Sequence, residues 1–489
     1  MPADTGLFMP LFIAAGALVV YTTVKFLPAH LRRWSGTMSA VWLMAAFGIM
    51  LSAIIPHASV TGLSYIGLTA GRLITGIGAA GAFASQGRID PEGPVQLYYP
   101  LFLLALAGSV AVGFAGDLFT VFVAVELSAI PVYGLCAYRY REDPGALTSA
   151  ARYLFQGVVG TITALFGVAV LFAAGHTLRI ADLPAALGRS DPALVLLGAV
   201  LIIIGYGVKL AIVPMHTWLP DAYARAPVGV TAIMAGATKI GVLIAVFLSL
   251  SALPADATVP RTMGIFLIII AVTTMTMGNL LALNQRDLKD ILSYSSIAQM
   301  GYILLGFGIG MAYSLPLGFT AGLYYAIAYG MMKSGAFLSA DAFAWSAGSS
   351  EIAGMKGLGA KNPLLGISFV IFIFGLIGVP FTSGFLGKLL LEQAGMVTSM
   401  LSGFVLALIL AINSIISLGY YVPVLSMLFF EKETEGKTGT PSGNLRKIPF
   451  TSLTAVTLLA IITVYFGLFP ESFDWISHAA GQLFTWGVL

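Results

Sequence analysis

Long apolar runs alternate with short polar breaks along the whole chain. At roughly 20 residues per membrane-spanning helix, the runs predict about fourteen spans. They lie near 6–27, 38–56, 62–86, 97–115, 117–138, 150–175, 193–219, 228–253, 263–284, 291–312, 316–345, 363–397, 402–430 and 449–470. The runs are apolar on all sides rather than at every second residue, which predicts α-helices and excludes a transmembrane β-barrel. Residues 7–24 lack a charged leading segment and a convincing cleavage site, so they read as the first span and not as a removed signal. The longest polar connection, EKETEGKTGTPSGNLRKI at 431–448, is flexible by composition. No loop is long enough for a soluble domain.

One stretch breaks the pattern. GYGVKLAIVPMHTWLPDAYARAPVGV, Gly205–Val230, begins as a span yet carries Lys209, and Pro214 follows five residues later. Proline removes a backbone donor and breaks or kinks a helix. His216, Trp218, Pro220 and Asp221 complete a polar segment. Irregular backbone at membrane depth survives beside protein or water, and a charge there marks an ion path. The run FGLIGVPFTSGFLGK in the twelfth span repeats the Val-Pro break and ends on Lys388. Two interrupted spans, five apart, fit repeated halves.

Composition agrees with a polytopic α-helical membrane protein: 58% of the 489 residues are hydrophobic and 9% charged, against about 25% charged in a soluble domain. The net charge of +3 says little about partners, and nothing supports nucleic-acid binding. A single cysteine, Cys136, excludes an internal disulfide or a cysteine-held cluster within this chain. Lysine and arginine concentrate in alternate loops, among them Arg32, Arg33, Arg88, Arg139, Arg141, Arg225, Arg286, Lys289, Lys432 and Lys437, whereas the other set holds Arg179, Arg189 and Arg261. The basic set marks the cytoplasmic side, so both termini are expected outside, in a multi-pass protein of the cell membrane.

Arg72, Lys209, Lys239, Lys333 and Lys388 fall inside predicted spans, as does Glu126. Each costs roughly 2.5–3.5 kcal/mol on insertion scales. Burial favours a neutral amine, while a carboxylate at about 4 Å in an effective dielectric of 20 returns roughly 4 kcal/mol to the ammonium. Opening and closing a Glu126–Lys209 pair would therefore release and bind a proton; arginine could not do this. The bland alternatives are a static ion pair for Glu126 and a lysine snorkelling to the interface for Lys209. Lys239 and Lys333 read as relay sites, against structural lysines bonded to carbonyls. Lys388 reads as the exit-side site, with Glu392 one turn on either tuning it or sitting at the interface. His216 either shuttles protons or satisfies open backbone. Asp221 and Arg225 read as a loop-ordering pair. Arg72 is either an anchor or an ion-pair partner. The sequence carries no metal-ligand cluster, nucleotide loop or nucleophile–base pair with recognisable spacing.

VKLAIVPMHTWLPDAYARAP, GDLFTVFVAVEL and RDLKDILSYSSIAQMGYILLG resemble motifs of the antiporter-like, proton-translocating subunits of respiratory complex I, membrane-bound hydrogenases and multisubunit Na⁺/H⁺ antiporters. The resemblance covers roughly spans four to thirteen. It implies three N-terminal helices at 1–96, two inverted five-helix repeats at 97–253 and 263–430, each with a broken helix, and a cytoplasmic loop and last helix at 431–489. Residue by residue, it implies a proton relay of Glu126, Lys209, Lys239, Lys333 and Lys388, and Lys388 makes the chain similar to N-type or D-type subunits. Tyr329 stands where relatives often carry a histidine. It further implies no cofactor in this chain, iron–sulfur clusters and flavin on partner subunits, and further antiporter-like membrane subunits as partners. Three readings follow: a subunit of a redox-driven proton pump, a subunit of a cation/proton antiporter that moves sodium as well, and a structural tether whose lysines tolerate apolar replacement.

Overall fold

The computed structural model describes residues 5–52, 62–89, 94–254, 258–398, 400–430, 445–473 and 476–477. Most of the 431–448 loop, with Lys432 and Lys437, lies outside them. The described residues are helical apart from loops and two isolated β-bridges. The helices follow the predicted spans and are numbered with them: span 1 Thr5–Phe26, span 2 Ser35–Ser52, span 3 Gly62–Ala84, span 4 Val95–Val112, span 5 Leu118–Cys136, span 6 Gly145–Gly175, span 9 Thr258–Ala282, span 10 Leu288–Tyr313, span 11 Pro316–Ala347, span 13 Met400–Phe429 and span 14 Phe450–Leu468. Three are divided: span 7 into Pro192–Leu210 and Leu219–Arg225, span 8 into Val228–Ala235 and Ala237–Ser251, and span 12 into Pro363–Ile377 and Ser383–Thr398. The breaks in spans 7 and 12 fall at the Val-Pro sequences, as expected.

Among the described residues, twelve helices are long and apolar enough to cross a membrane. The two missing from the expected fourteen are span 11 and span 12. Span 11 is long but carries Lys333 and Asp341, and span 12 is cut into two short halves. Spans 8 and 10 are almost wholly buried, while spans 6 and 13 expose Phe155, Ile162, Phe166, Phe404 and Ile415. In a membrane such exposed apolar faces suit lipid or a neighbouring membrane subunit, whereas a helix apolar all round and enclosed by others forms the core.

The two halves share one local device. Asp117 caps span 5 by accepting from the Thr120 amide at 2.8 Å, and Asp287 caps span 10 by accepting from the Lys289 amide at 2.8 Å. Each capping residue also forms an antiparallel bridge to the loop two spans' length away, Asp117 with Arg179 and Asp287 with Glu351. The flanking bonds correspond as well: Leu118 N to Leu178 O and Ile180 N to Gly116 O in one half, Leu288 N to Ser350 O and Ile352 N to Arg286 O in the other. Four spans lie between the two capped helices, an interval at which spans that alternate across a membrane run in opposite directions. Spans 7 and 12 also end their first halves alike, on left-handed residues Ala211 and Gly378, the αL cap that closes a helix C-terminus.

Spans 8 and 11 meet at Gly236. A Cβ built there would lie 2.1 Å from Ser334 Oγ and 2.6 Å from the Gly330 carbonyl oxygen, so glycine is needed for the approach. Ser334 Oγ donates to the Ala232 carbonyl at 2.8 Å and seals the contact.

Candidate functional site: a line of buried lysines

Lys209 stands in the last turn of the first half of span 7, just before the break. Its Nζ lies 2.8 Å from Glu126 Oε1, with the lysine side chain 4% and the carboxylate 19% exposed. Thr161 Oγ1 of span 6 donates to the same oxygen at 2.7 Å, and Lys209 also donates to the Tyr133 hydroxyl at 3.3 Å. The carboxylate thus has both a counter-charge and a neutral donor, the condition under which a buried ion pair is held rather than expelled. Trp218, from the far side of the break, donates its indole N–H to the Val208 carbonyl at 2.8 Å and stacks on Tyr153 with ring centroids 4.0 Å apart. It fastens the polar segment against the helix end that carries the lysine.

A cavity of about 20 Å³ joins Lys209 to Lys239, walled by Ser128, Tyr153, Thr238 and Val242 among others. A cavity of roughly 10–15 Å³ measured in this way holds one water. Lys239 is 2% exposed, its Nζ makes no hydrogen bond among the described residues, and it lies 5.7 Å from the ring centre of Tyr223 and 5.9 Å from that of Tyr329. Tyr329, in the place of the expected histidine, therefore meets this lysine with its ring face.

Lys333 is fully buried on span 11. It donates to the Leu292 carbonyl at 2.8 Å and Ser295 Oγ at 2.9 Å, and reaches the Tyr421 hydroxyl at 3.5 Å. Lys388, in the second half of span 12, reaches back across the break to donate to the Ile377 carbonyl at 2.8 Å and to Ser414 Oγ at 3.2 Å. Its Nζ lies 4.5 Å from the centre of the Tyr302 ring. Ile377 is the last residue of the first half-helix, so the ammonium meets the negative end of a helix dipole. Among the described residues neither Lys333 nor Lys388 has a carboxylate within ion-pair distance, and Glu392 is half-buried without an ion pair.

Residues 115–417 match the sequence profile of the transmembrane family described as NADH:quinone oxidoreductase/Mrp antiporter. The chain belongs to this family. It is 32% identical over 406 residues to F(420)H(2) dehydrogenase subunit N of Methanosarcina mazei, covering 79% of this chain and 77% of that one. It is 33% identical over 382 residues to NADH-quinone oxidoreductase subunit N of Rhodococcus opacus, covering 76% and 67%. Its fold is similar to that of a chain of the membrane-bound sulfane sulfur reductase, an archaeal respiratory membrane complex, with a TM-score of 0.82, 25% identity and coverage of 98% and 97%.

In this family member the remaining sequence-derived candidates are placed as follows. His216 sits half-buried in the break of span 7, and among the described residues no hydrogen bond joins it to the lysines. Arg72 bonds within its own helix, to the Leu68 carbonyl and Thr69 Oγ1. The expected Asp221–Arg225 pair is not formed. Asp221 pairs with Arg152 at 2.6 Å and Arg225 with Asp143 at 2.6 Å. Each thereby ties the short helix after the break to the span 5–6 region, which a pair within one helix could not do.

The sequence reading missed Asp341. This carboxylate of span 11, 12% exposed, forms ion pairs with Arg88 and, at 3.2 Å, with Lys289. Both cations were counted as loop residues, yet both are buried. The signal was available, because Asp341 lies inside a predicted span just as Glu126 does. The hydroxyls and carboxamides near Lys333 and Lys388 were also missed, since serine, tyrosine and asparagine in a span cost too little to stand out.

Proposed function

We propose that this chain is the proton-translocating membrane subunit of a complex-I-like, redox-driven pump, in which protons move along Glu126, Lys209, Lys239, Lys333 and Lys388. The observation that carries the reading is the buried Glu126–Lys209 pair at a broken helix, with a water-sized cavity leading to a second buried lysine. An ion pair that closes and opens can bind and release a proton, and the break in span 7 supplies backbone that can move. The subunit-N relatives support a redox partner, a dehydrogenase whose flavin and iron–sulfur clusters would reside on other chains, with further antiporter-like subunits beside this one. The alternation of basic loops supports both termini outside the cell membrane.

Lys209→Ala combined with Lys388→Ala, measured in vesicles carrying the whole complex, is expected to abolish redox-driven acidification while the soluble redox reaction continues. Intact pumping by that double variant would sink the relay. The family also contains Mrp-type antiporters, and that reading predicts sodium-dependent proton movement in vesicles without any electron donor.

A further inference from the structure

Two hydroxyls flank the Glu126–Lys209 pair, one on each charge. Thr161 Oγ1, on span 6, donates at 2.7 Å to Glu126 Oε1, the same oxygen that lies 2.8 Å from Lys209 Nζ. Tyr133, on span 5, accepts from Lys209 Nζ at 3.3 Å. One face of span 6 serves both contacts. A Cβ built at Gly157 would lie 2.1 Å from the Tyr133 hydroxyl oxygen, so glycine leaves the notch in which that hydroxyl sits. Thr161 follows four residues later, and residues so spaced share a helix face. Tyr133 also packs edge-on against Tyr153, with ring centroids 4.6 Å apart. Tyr153 and Lys209 both line the cavity that leads to Lys239.

The two contacts matter most when the pair separates. A lone buried ion is costly, so the carboxylate left behind and the ammonium that departs both need partners. Thr161 is carried by a different helix from Lys209, so its bond to Glu126 does not depend on where the lysine is. A hydrogen bond to an ionised acceptor is roughly twice as strong as a neutral one. Tyr133 already accepts from the ammonium, and the lysine stem can turn toward the cavity it lines without giving up that hydroxyl. Neither hydroxyl carries a charge, so neither outbids Glu126 while the pair is closed. We propose that Thr161 and Tyr133 are positioning residues that hold the carboxylate and the ammonium, respectively, when the Glu126–Lys209 pair opens, and so set how readily it opens. The role rests on the relay reading above. Without Thr161 the closed pair is harder to part, because separation would strip Oε1 of both its donors.

The test compares Thr161→Val, which keeps the shape and loses the donor, with Thr161→Ser, which keeps the donor. The complete complex is reconstituted into vesicles and driven by the reduced nicotinamide or reduced deazaflavin that it oxidises. Acidification is followed with a dye and expressed per assembled complex. Thr161→Val is expected to lower the maximal rate roughly tenfold, with the electron-donor concentration for half-maximal rate unchanged. Thr161→Ser should pump like the parent. A Thr161→Val complex that pumps at the parent rate overturns the proposal, as does a Thr161→Ser complex as slow as Thr161→Val. If Thr161→Val does not assemble, Tyr133→Phe decides, since it keeps the ring and loses only the hydroxyl. A fall of about threefold is expected there, and a parent rate overturns the proposal. The relay is judged separately, by acidification in the combined Lys209→Ala and Lys388→Ala variant. If that variant is silent while Thr161→Val pumps at the parent rate, the relay stands and only the two holders fall.

Discussion

The halves around spans 5–8 and 10–13 start from the same device, an aspartate cap bridged to a distant loop, yet they compensate the lysines of their Val-Pro-broken spans, Lys209 and Lys388, differently. In the first half Lys209 faces a carboxylate. In the second, Lys333 and Lys388 face carbonyls, hydroxyls and an aromatic ring. The backbone framework is thus repeated while the electrostatics are not. A full counter-charge holds an ammonium by a strong attraction that its loss would convert into a large penalty. Neutral acceptors hold it weakly, and removing the lysine leaves no opposite charge behind.

That contrast ranks the expected stability changes. Glu126→Ala strands a buried ammonium and should cost roughly 3–5 kcal/mol, read as a lowered unfolding midpoint of the solubilised complex. Glu126→Ala with Lys209→Ala should recover most of that loss without recovering pumping. Asp341→Ala leaves both Arg88 and Lys289 short of an acceptor and should cost roughly 1–3 kcal/mol; a neutral result would mean that the two cations find other partners. Asp117→Ala and Asp287→Ala should each cost about 1 kcal/mol, and a large inequality between them would break the equivalence of the two caps. Lys388→Met should change stability least, by under about 1 kcal/mol, while abolishing driven proton transport. A strongly destabilised Lys388→Met protein would mean that the second half depends on its charge as much as the first.

The sequence made the scaffold legible because its signals are large. Apolar runs long enough to span, and the Val-Pro breaks at Pro214 and Pro380, located the helices and the two main interruptions. The cost of an ionised group in lipid picked out Glu126 and the four buried lysines. What stayed hidden was pairing. That Glu126 meets Lys209 was a reasonable guess, but Asp221 and Arg225 were joined only because they are near in sequence, and the fold draws them to Arg152 and Asp143. Asp341 escaped notice because Arg88 and Lys289 looked like loop cations, and their burial is a tertiary fact. The gap in span 8 at Gly236 has no proline to announce it.

That glycine acts as a gauge. Lys239 lies three residues beyond it, and Lys333 sits one residue before the serine that touches it. Coulomb energy falls with the reciprocal of separation, so the mutual influence of the two central lysines depends on how closely their helices approach. Where any other residue would interpose a methyl group against Ser334 and the Gly330 carbonyl, this chain presents a hydrogen atom. The reach of one half's charge into the other is therefore written into the smallest side chain on the axis, at a position that carries no charge at all.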